Sequence, residues 1–181
     1  MKNLSDKGFT LVELMVVLAI IGVLSFLAVP QYQKFVAKAK TGEAKIALGA
    51  IYQNEVAFYQ EANVYATCLG SMGYSPGEKT YYATGFGGGP AIAATLQQYG
   101  CEQYNGTVGA GHNFDATNSG GVYMVKGTDL EAASTCLVTG DSMGFKACAM
   151  GVIDKKYDNA ARADWWTIDE LKNVVHQRVG Y

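Results

Sequence analysis

A long apolar run near the start of the chain dominates its pattern of hydrophobic and polar positions. Residues 9–29 form 21 consecutive positions whose only charged side chain is Glu13. As a helix this run would be about 31 Å long at ~1.5 Å per residue, which is enough to cross the hydrocarbon core of a bilayer. The pattern therefore predicts a membrane-spanning helix.

Glu13 is the one position that conflicts with this pattern. A carboxylate inside an apolar span is costly, which indicates a specific partner. If the chain were cut before Phe9, the new amine at the start of the helix would need such an anion, and Glu13 lies one helical turn away. The amine of a neighbouring copy at a fixed axial offset would serve equally well. The alternative is a carboxylate that reaches back to the membrane surface.

The residues around the run carry a resemblance to a known family. Eight residues, MKNLSDKG, precede the run, and the conspicuous small residue, Gly8, stands before it rather than after it as in a secretory signal. Phe9 follows Gly8, Glu13 is the fifth residue counted from Phe9, and Pro30 stands one span later. Together these features make about 30 residues resemble the class III signal of type IV prepilins. The resemblance implies cleavage after Gly8 by a prepilin peptidase and N-methylation of Phe9. It also implies assembly through Glu13 and Pro30.

The same resemblance implies a fold and a location. The fold would be the α+β type IV pilin fold, with a long N-terminal helix packed on an antiparallel sheet of about four strands. The protein would lie in the inner membrane before the pilus machinery assembles it, with other copies of itself, into an extracellular fimbrium. That pilus would serve motility, adhesion or DNA uptake, with this chain as a major subunit. Two alternatives are a pseudopilin of a type II secretion system and a membrane-tethered binding module.

The pattern divides the chain into four segments. Residues 1–8 are the leader, 9–30 the membrane and filament-core helix, 31–63 the second half of that helix, and 64–181 a globular head. Gly22 and Pro30 make the intervening stretch the weakest part of the helix, since proline removes one backbone hydrogen bond. In the second half, one stripe at three- and four-residue spacing predicts the face that covers the sheet: Ala44, Leu48, Ile51, Glu55, Phe58 and Ala62.

Short apolar runs between turn residues predict the strands of the head. The four strand candidates are Lys79–Phe86, Gly121–Lys126, Cys136–Thr139 and Phe145–Ile153. A terminal strand is predicted at Trp165–Ile168, and short helices at Ala91–Gly100 and, capped by Asp169, at Asp169–Val175. The glycines at 87–89 are predicted to form a turn, because the P-loop and dinucleotide motifs are missing around them.

The four cysteines lie beyond the apolar run, at Cys68, Cys101, Cys136 and Cys148. An even number in a domain expected outside the cytoplasm indicates two disulfides, with three possible connectivities. A hairpin turning near Ser142 would favour Cys136–Cys148, which leaves Cys68–Cys101. The alternative, a zinc site, lacks a C-x-x-C motif and has no neighbouring histidines.

The tail carries a cluster of oxygen-bearing side chains that suits calcium in type but not in EF-hand spacing. Its members are Asp154, Asp158, Asn159 and Asp164. The cluster resembles the acidic loop before a W-T-I/V strand in some pilins and secretion pseudopilins, and the pseudopilin resemblance implies a calcium site. The alternative is a set of turn-forming and capping residues on a solvated loop.

Other chemistry finds little support in the sequence. No serine-histidine-acid triad or other catalytic motif is recognisable, so the chain is predicted not to be an enzyme. The net charge of -2 argues against a general nucleic-acid binder, and no specific nucleic-acid partner is predicted. Apart from the calcium candidate, no cofactor or metal is predicted. These observations favour a structural protein.

Overall fold

The structure is a computed structural model of the 181-residue chain. It describes residues 8–66, 68–70, 72–86, 114–117, 125–126, 136, 144–154 and 159–181. The chain divides into two compact units, Met1–Val36 and Ala37–Tyr181. One helix, α1 (Leu11–Ala62), includes residues of both units, and Pro30 lies inside it without ending it.

In the first unit the described residues belong to α1 and the three positions before it. Every one of residues 8–36 is exposed, including all its large apolar side chains. By length and composition, α1 is apolar enough to cross a membrane. The predicted apolar helix is therefore present, with its apolar surface uncovered.

The second unit contains a four-stranded sheet. The strands are β1 (Ala83–Gly85), β2 (Lys146–Gly151), β3 (Asp164–Asp169) and β4 (Val174–Arg178), which lie in the order β1-β2-β3-β4. Each pairs antiparallel with its neighbour, with Cys148 opposite Thr167 and Ile168 opposite Val174. The predicted α+β fold with about four antiparallel strands is confirmed.

The strands are not all those predicted from the sequence. β1 and β2 fall inside the predicted runs 79–86 and 145–153, and β3 contains the predicted terminal strand 165–168. The candidates at 121–126 and 136–139 lie largely outside the described residues. So does the predicted helix at 91–100.

The prediction of a helix at Asp169–Val175 is wrong, because β3 and β4 form a hairpin there. Asp169 Oδ1 accepts hydrogen bonds from the backbone N–H groups of Leu171 (3.1 Å) and Asn173 (2.8 Å), much as a helix cap would. Lys172, however, has φ 64°, and this left-handed residue turns the chain back. Val174 and Val175 then continue as a strand, as β-branched residues favour.

The core lies on both faces of the sheet. Alternate residues of β2 face opposite sides: Ala147 and Ala149 join the cluster that contains Leu48 and Ile51 of α1. Cys148 and Met150 face a second cluster. This is why the strand is buried almost throughout. The stripe predicted on the helix is buried at Ala44, Leu48, Ile51 and Glu55 and half-buried at Phe58 and Ala62.

The end of α1 is set by Asn63. This residue has φ 55°, and its N–H donates to the carbonyl of Tyr59 (2.8 Å), four residues back. A single bond of this kind with a left-handed residue is a common way to end a helix, and asparagine tolerates it. The predicted end near residue 63 agrees with Ala62 as the last helical residue.

Candidate assembly site

The first turn of α1 holds Glu13 in a capping box. The backbone N–H and the hydroxyl of Thr10 donate to Oε2 of Glu13 at 2.9 and 2.8 Å, and the N–H of Glu13 donates to Oγ1 of Thr10 at 3.2 Å. Together these bonds satisfy two N–H groups that the helix itself leaves without partners. None of the described residues donates a hydrogen bond to Oε1 of Glu13, so this oxygen can accept a further one.

This local role was missed by the sequence reasoning, which considered only the amine of Phe9 and the membrane surface as partners of Glu13. The signal was present, because Thr-x-x-Glu immediately before an apolar run is the pattern of a capping box. The predicted pairing with an amine is compatible with the cap, since the cap uses one oxygen of the carboxylate.

The predicted processing site lies just before the helix. Gly8 and Phe9 precede the first helical residue, Leu11, and both are exposed, Phe9 to 91%. A side chain at Gly8 would meet nothing within 4 Å. The peptide bond between Gly8 and Phe9 is therefore outside regular structure, where an enzyme can bind it in an extended form. The leader residues 1–7 lie outside the described part.

Gly22 and Pro30, predicted as the weak stretch of the helix, are both exposed on α1. Nothing lies within 4 Å of a side chain placed at Gly22. Since proline has no N–H, the carbonyl of Phe26 has no helical hydrogen bond. A role of Pro30 in assembly stays a prediction.

One of the two predicted disulfides is confirmed. Cys136 and Cys148 are bonded, with their Cα atoms 5.6 Å apart, and both are fully buried. Cys148 lies on β2, on the face opposite α1. Cys68 is also buried, but Cys101 lies outside the described residues, so the Cys68–Cys101 bond stays a prediction.

The acidic residues of the tail do not share one environment. Asp164, the first residue of β3, is fully buried, whereas Asn159 is exposed and Asp154 is half-buried. Asp158 lies outside the described residues. In the part of the chain that the structure describes, no three acidic, histidine or cysteine side chains are grouped to hold a metal ion.

Asp164 instead accepts hydrogen bonds from four groups. Oδ2 accepts from the hydroxyl of Tyr82 and Nε1 of Trp166, both at 2.6 Å. Oδ1 is 2.7 Å from Nε2 of His176, which must carry the proton, and accepts from the N–H of Gly180 at 3.0 Å. Burial and the charge of Asp164 raise the pKa of Tyr82, so the phenol stays a donor. Both oxygens are thus saturated, and the calcium interpretation loses this residue as a natural ligand.

The group around Asp164 also joins the sheet to α1. The ring of His176 stacks on Trp166, with centroids 3.8 Å apart and planes 8° apart. Nζ of Lys45, on α1, lies 4.7 Å from the centroid of the same indole. Nε2 of His176 is therefore engaged by Asp164 and is not open to a metal ion. His112 lies outside the described residues.

A second helix side chain binds the sheet through the backbone. Oε1 of Glu43 accepts hydrogen bonds from the N–H groups of Tyr81 (2.6 Å) and Tyr82 (3.2 Å), just before β1. Burial raises the pKa of Glu43, and the two N–H donors lower it again. The sequence reasoning did not single out Glu43, and no local pattern marks it, since its partners are 38 and 39 residues away.

The sequence is similar to those of known proteins over part of its length. Residues 3–29 match the family described as the prokaryotic N-terminal methylation motif. The chain is 42% identical over 74 residues to the type IV major pilin protein PilA of Myxococcus xanthus, which covers 41% of this chain and 34% of PilA. Over part of its length the chain is similar to a type IV major pilin.

Two further relatives are similar to this chain over shorter stretches. The type IV major fimbrial protein FimA of Dichelobacter nodosus is 58% identical over 40 residues, 22% of this chain and 25% of FimA. The type IV major pilin protein PilE1 of Neisseria gonorrhoeae is 52% identical over 42 residues, 23% of this chain and 26% of PilE1. The similarity thus spans only about a quarter to a third of the length of these relatives.

Proposed function

We propose that this chain is a structural subunit of an extracellular type IV pilus and polymerises with copies of itself. The observation that carries the proposal is the uncovered apolar surface of residues 9–36. An exposed apolar surface of this size is stable in only two settings, a lipid bilayer or a bundle of similar helices. Passage from the first setting to the second is filament assembly.

Glu13 would set the register of that bundle. Apolar helices slide past one another easily, whereas a buried carboxylate must meet a positive group. Cleavage before Phe9 creates an amine that can donate a hydrogen bond. Oε1 of Glu13, which takes no part in the capping box, would accept this bond. The amine of one copy on the carboxylate of its neighbour would then fix a single axial offset.

The proposal includes the processing steps before assembly. A prepilin peptidase would cut the exposed Gly8–Phe9 bond, and Phe9 would then be N-methylated. The match to a methylation motif over residues 3–29 supports both steps. Before assembly α1 would hold the chain in the inner membrane with the head outside the cytoplasm.

Two variants separate the charge of Glu13 from its capping role. Glu13→Gln keeps a side chain able to cap but removes the charge, whereas Thr10→Ala removes the cap and keeps the charge. We expect Glu13→Gln and Glu13→Ala to yield few sheared surface fibres by electron microscopy, while Thr10→Ala retains most of them. Glu61→Gln, at an exposed position of the same helix, is the matched control.

Mass spectrometry of the purified fibres gives the second measurement. The expected subunit begins at Phe9 and carries one methyl group on it. Normal fibre yield from Glu13→Gln would refute the charge-based register. Recovery of the native protein only as an uncut membrane protein would refute the pilus subunit itself.

A further inference from the structure

Glu55 is a fully buried carboxyl group on the face of α1 that packs on the sheet. Its Oε2 accepts a hydrogen bond from the backbone N–H of Ala66 at 2.9 Å. Within the described part of the chain, its Oε1 is buried and has no hydrogen-bond partner. Buried polar atoms are nearly always paired, so an unpaired carboxyl oxygen in the core needs an explanation.

The bond to Ala66 ties α1 to the segment that follows it, segment 63–70, of which the structure describes residues 63–66 and 68–70. The chain turns at Asn63, and the ring of Tyr65 stacks on that of Tyr59 with centroids 4.6 Å apart. Ala66 and Leu69 are then fully buried. The described residues of this segment therefore fold back onto the last turns of the helix, and the carboxyl group of Glu55 holds the backbone of Ala66 there.

The surroundings favour the neutral form of this carboxyl group. Burial raises the pKa of Glu55 to about 8 from its ordinary 4.5, and the N–H of Ala66 lowers it only in part. Among the residues that the structure describes, no positively charged group contributes to the shift. Without such a partner, a buried carboxylate is far less stable than the neutral acid.

Among the described residues, the neighbouring titratable groups add no compensating positive charge. Burial raises the pKa of Tyr65, and Tyr59, Glu170, Glu55 and Tyr52 raise it further when they are ionised. These groups lie on the segment itself, on α1 and on the turn between β3 and β4. Lys172, the cation of that turn, has its Nζ over the ring of Tyr52, 5.5 Å from the centroid.

We propose that Glu55 is a proton-dependent latch, which holds segment 63–70 against α1 while its carboxyl group is protonated and releases the segment when it ionises. The latch is closed in mildly acidic surroundings and weakens as the pH rises. The pH outside the cytoplasm would then change how firmly segment 63–70 is held against α1. The apolar surface that serves assembly would not be affected.

The direction of the effect follows from proton linkage. Between pH 4.5 and about 8 the closed form keeps a proton that the open form has released. Each pH unit in this interval therefore favours opening by up to about tenfold. Above about pH 8 both forms are ionised, and the opening equilibrium no longer changes.

Hydrogen exchange of the full chain in detergent micelles tests the latch. The readout is the protection factor of the amides at 64–70, corrected for the intrinsic pH dependence of exchange, between pH 5 and 9. We expect protection to fall across this range and to level off near pH 8, while the amides of β3 change little. In Glu55→Gln, which cannot ionise, protection should be independent of pH.

A direct titration keeps the test decisive even where Glu55→Gln fails to fold. The ¹³C chemical shift of the Glu55 carboxyl carbon, followed by NMR in the unaltered chain, should have its midpoint near pH 8. Glu61, exposed on the same helix, is the internal reference. A Glu55 midpoint near the ordinary value of 4.5, or the same pH-dependent protection in Glu55→Gln as in the unaltered chain, would overturn the proposal.

Discussion

Nε2 of His176 lies 2.7 Å from Oδ1 of Asp164, which joins the middle of the last strand to the first residue of the strand before it. The same oxygen accepts from Gly180, beyond the end of β4. One buried carboxylate thus holds both β4 and the C-terminal residues in place. Arg178 reinforces this arrangement from the other side, because its guanidinium donates to the carbonyls of Ala163 and Ala160, both at 2.8 Å.

Replacing Asp164 by asparagine should destabilise the head by about 3 kcal/mol. The substitution keeps the volume but turns one acceptor oxygen into a donor, which would face groups that themselves donate. Hydrogen bonds to a charged group contribute about 1.5–3 kcal/mol each, and the loss leaves buried donors without acceptors. Chemical denaturation followed by tryptophan fluorescence would measure the change in the free energy of unfolding.

The control for this experiment is Glu61→Gln, which removes one negative charge at an exposed position of α1. It should change the free energy of unfolding by less than about 0.5 kcal/mol. A similar small effect for Asp164→Asn would show that the four hydrogen bonds are not important for stability.

Glycine is required at position 180 by the backbone of Asp164. A side chain there would meet the backbone nitrogen of Asp164 and lie 2.7 Å from its Cα. Gly180→Ala should therefore cost about 1–3 kcal/mol through overpacking. Gly49→Ala is the matched control, since nothing lies within 4 Å of its side chain and alanine favours the helix by up to about 1 kcal/mol. Thermal unfolding should thus shift in opposite directions, and equal shifts would contradict the packing argument.

The Cys136–Cys148 bond closes a short loop with a sequence separation of 12. Replacing both cysteines by alanine should cost about 3 kcal/mol in the free energy of unfolding, mainly because the unfolded chain gains freedom. Denaturation in the presence and absence of a reductant would measure it. A remaining effect of reductant on the double variant would report the predicted Cys68–Cys101 bond, whereas no effect would argue against that bond.

Thr10→Ala should weaken the first turn of α1, because the helix loses its N-cap. Such a loss costs about 1 kcal/mol, which corresponds to roughly fivefold faster exchange of the first-turn amides. Thr10→Ser keeps the hydroxyl and should behave like the unaltered chain. Equal exchange in both variants would mean that the capping box does not stabilise this turn.

Much of the fold could be predicted because its signals are local. The apolar run, the stripe from Ala44 to Glu55 and the short apolar run that contains β2 depend on residues a few positions apart, so their spacing or continuity can be recognised in the sequence. The hairpin at Asp169–Val175 was misread because an aspartate satisfies nearby N–H groups in a turn and at a helix start alike. The left-handed conformation of Lys172 distinguishes this turn from the start of a helix.

The sequence by itself determined the apolar helix, the unusual charge at Glu13, the cleavage motif and the preferred Cys136–Cys148 pairing. Tertiary structure decided what the other acidic residues do. Asp164 looked like one member of a solvated acidic loop, and Glu55 like an exception in an apolar stripe, yet both are buried. The physical reason is that the environment of a carboxylate depends on donors from distant parts of the chain, such as Tyr82 and Gly180. No local spacing in the sequence shows that folding places these donors beside it.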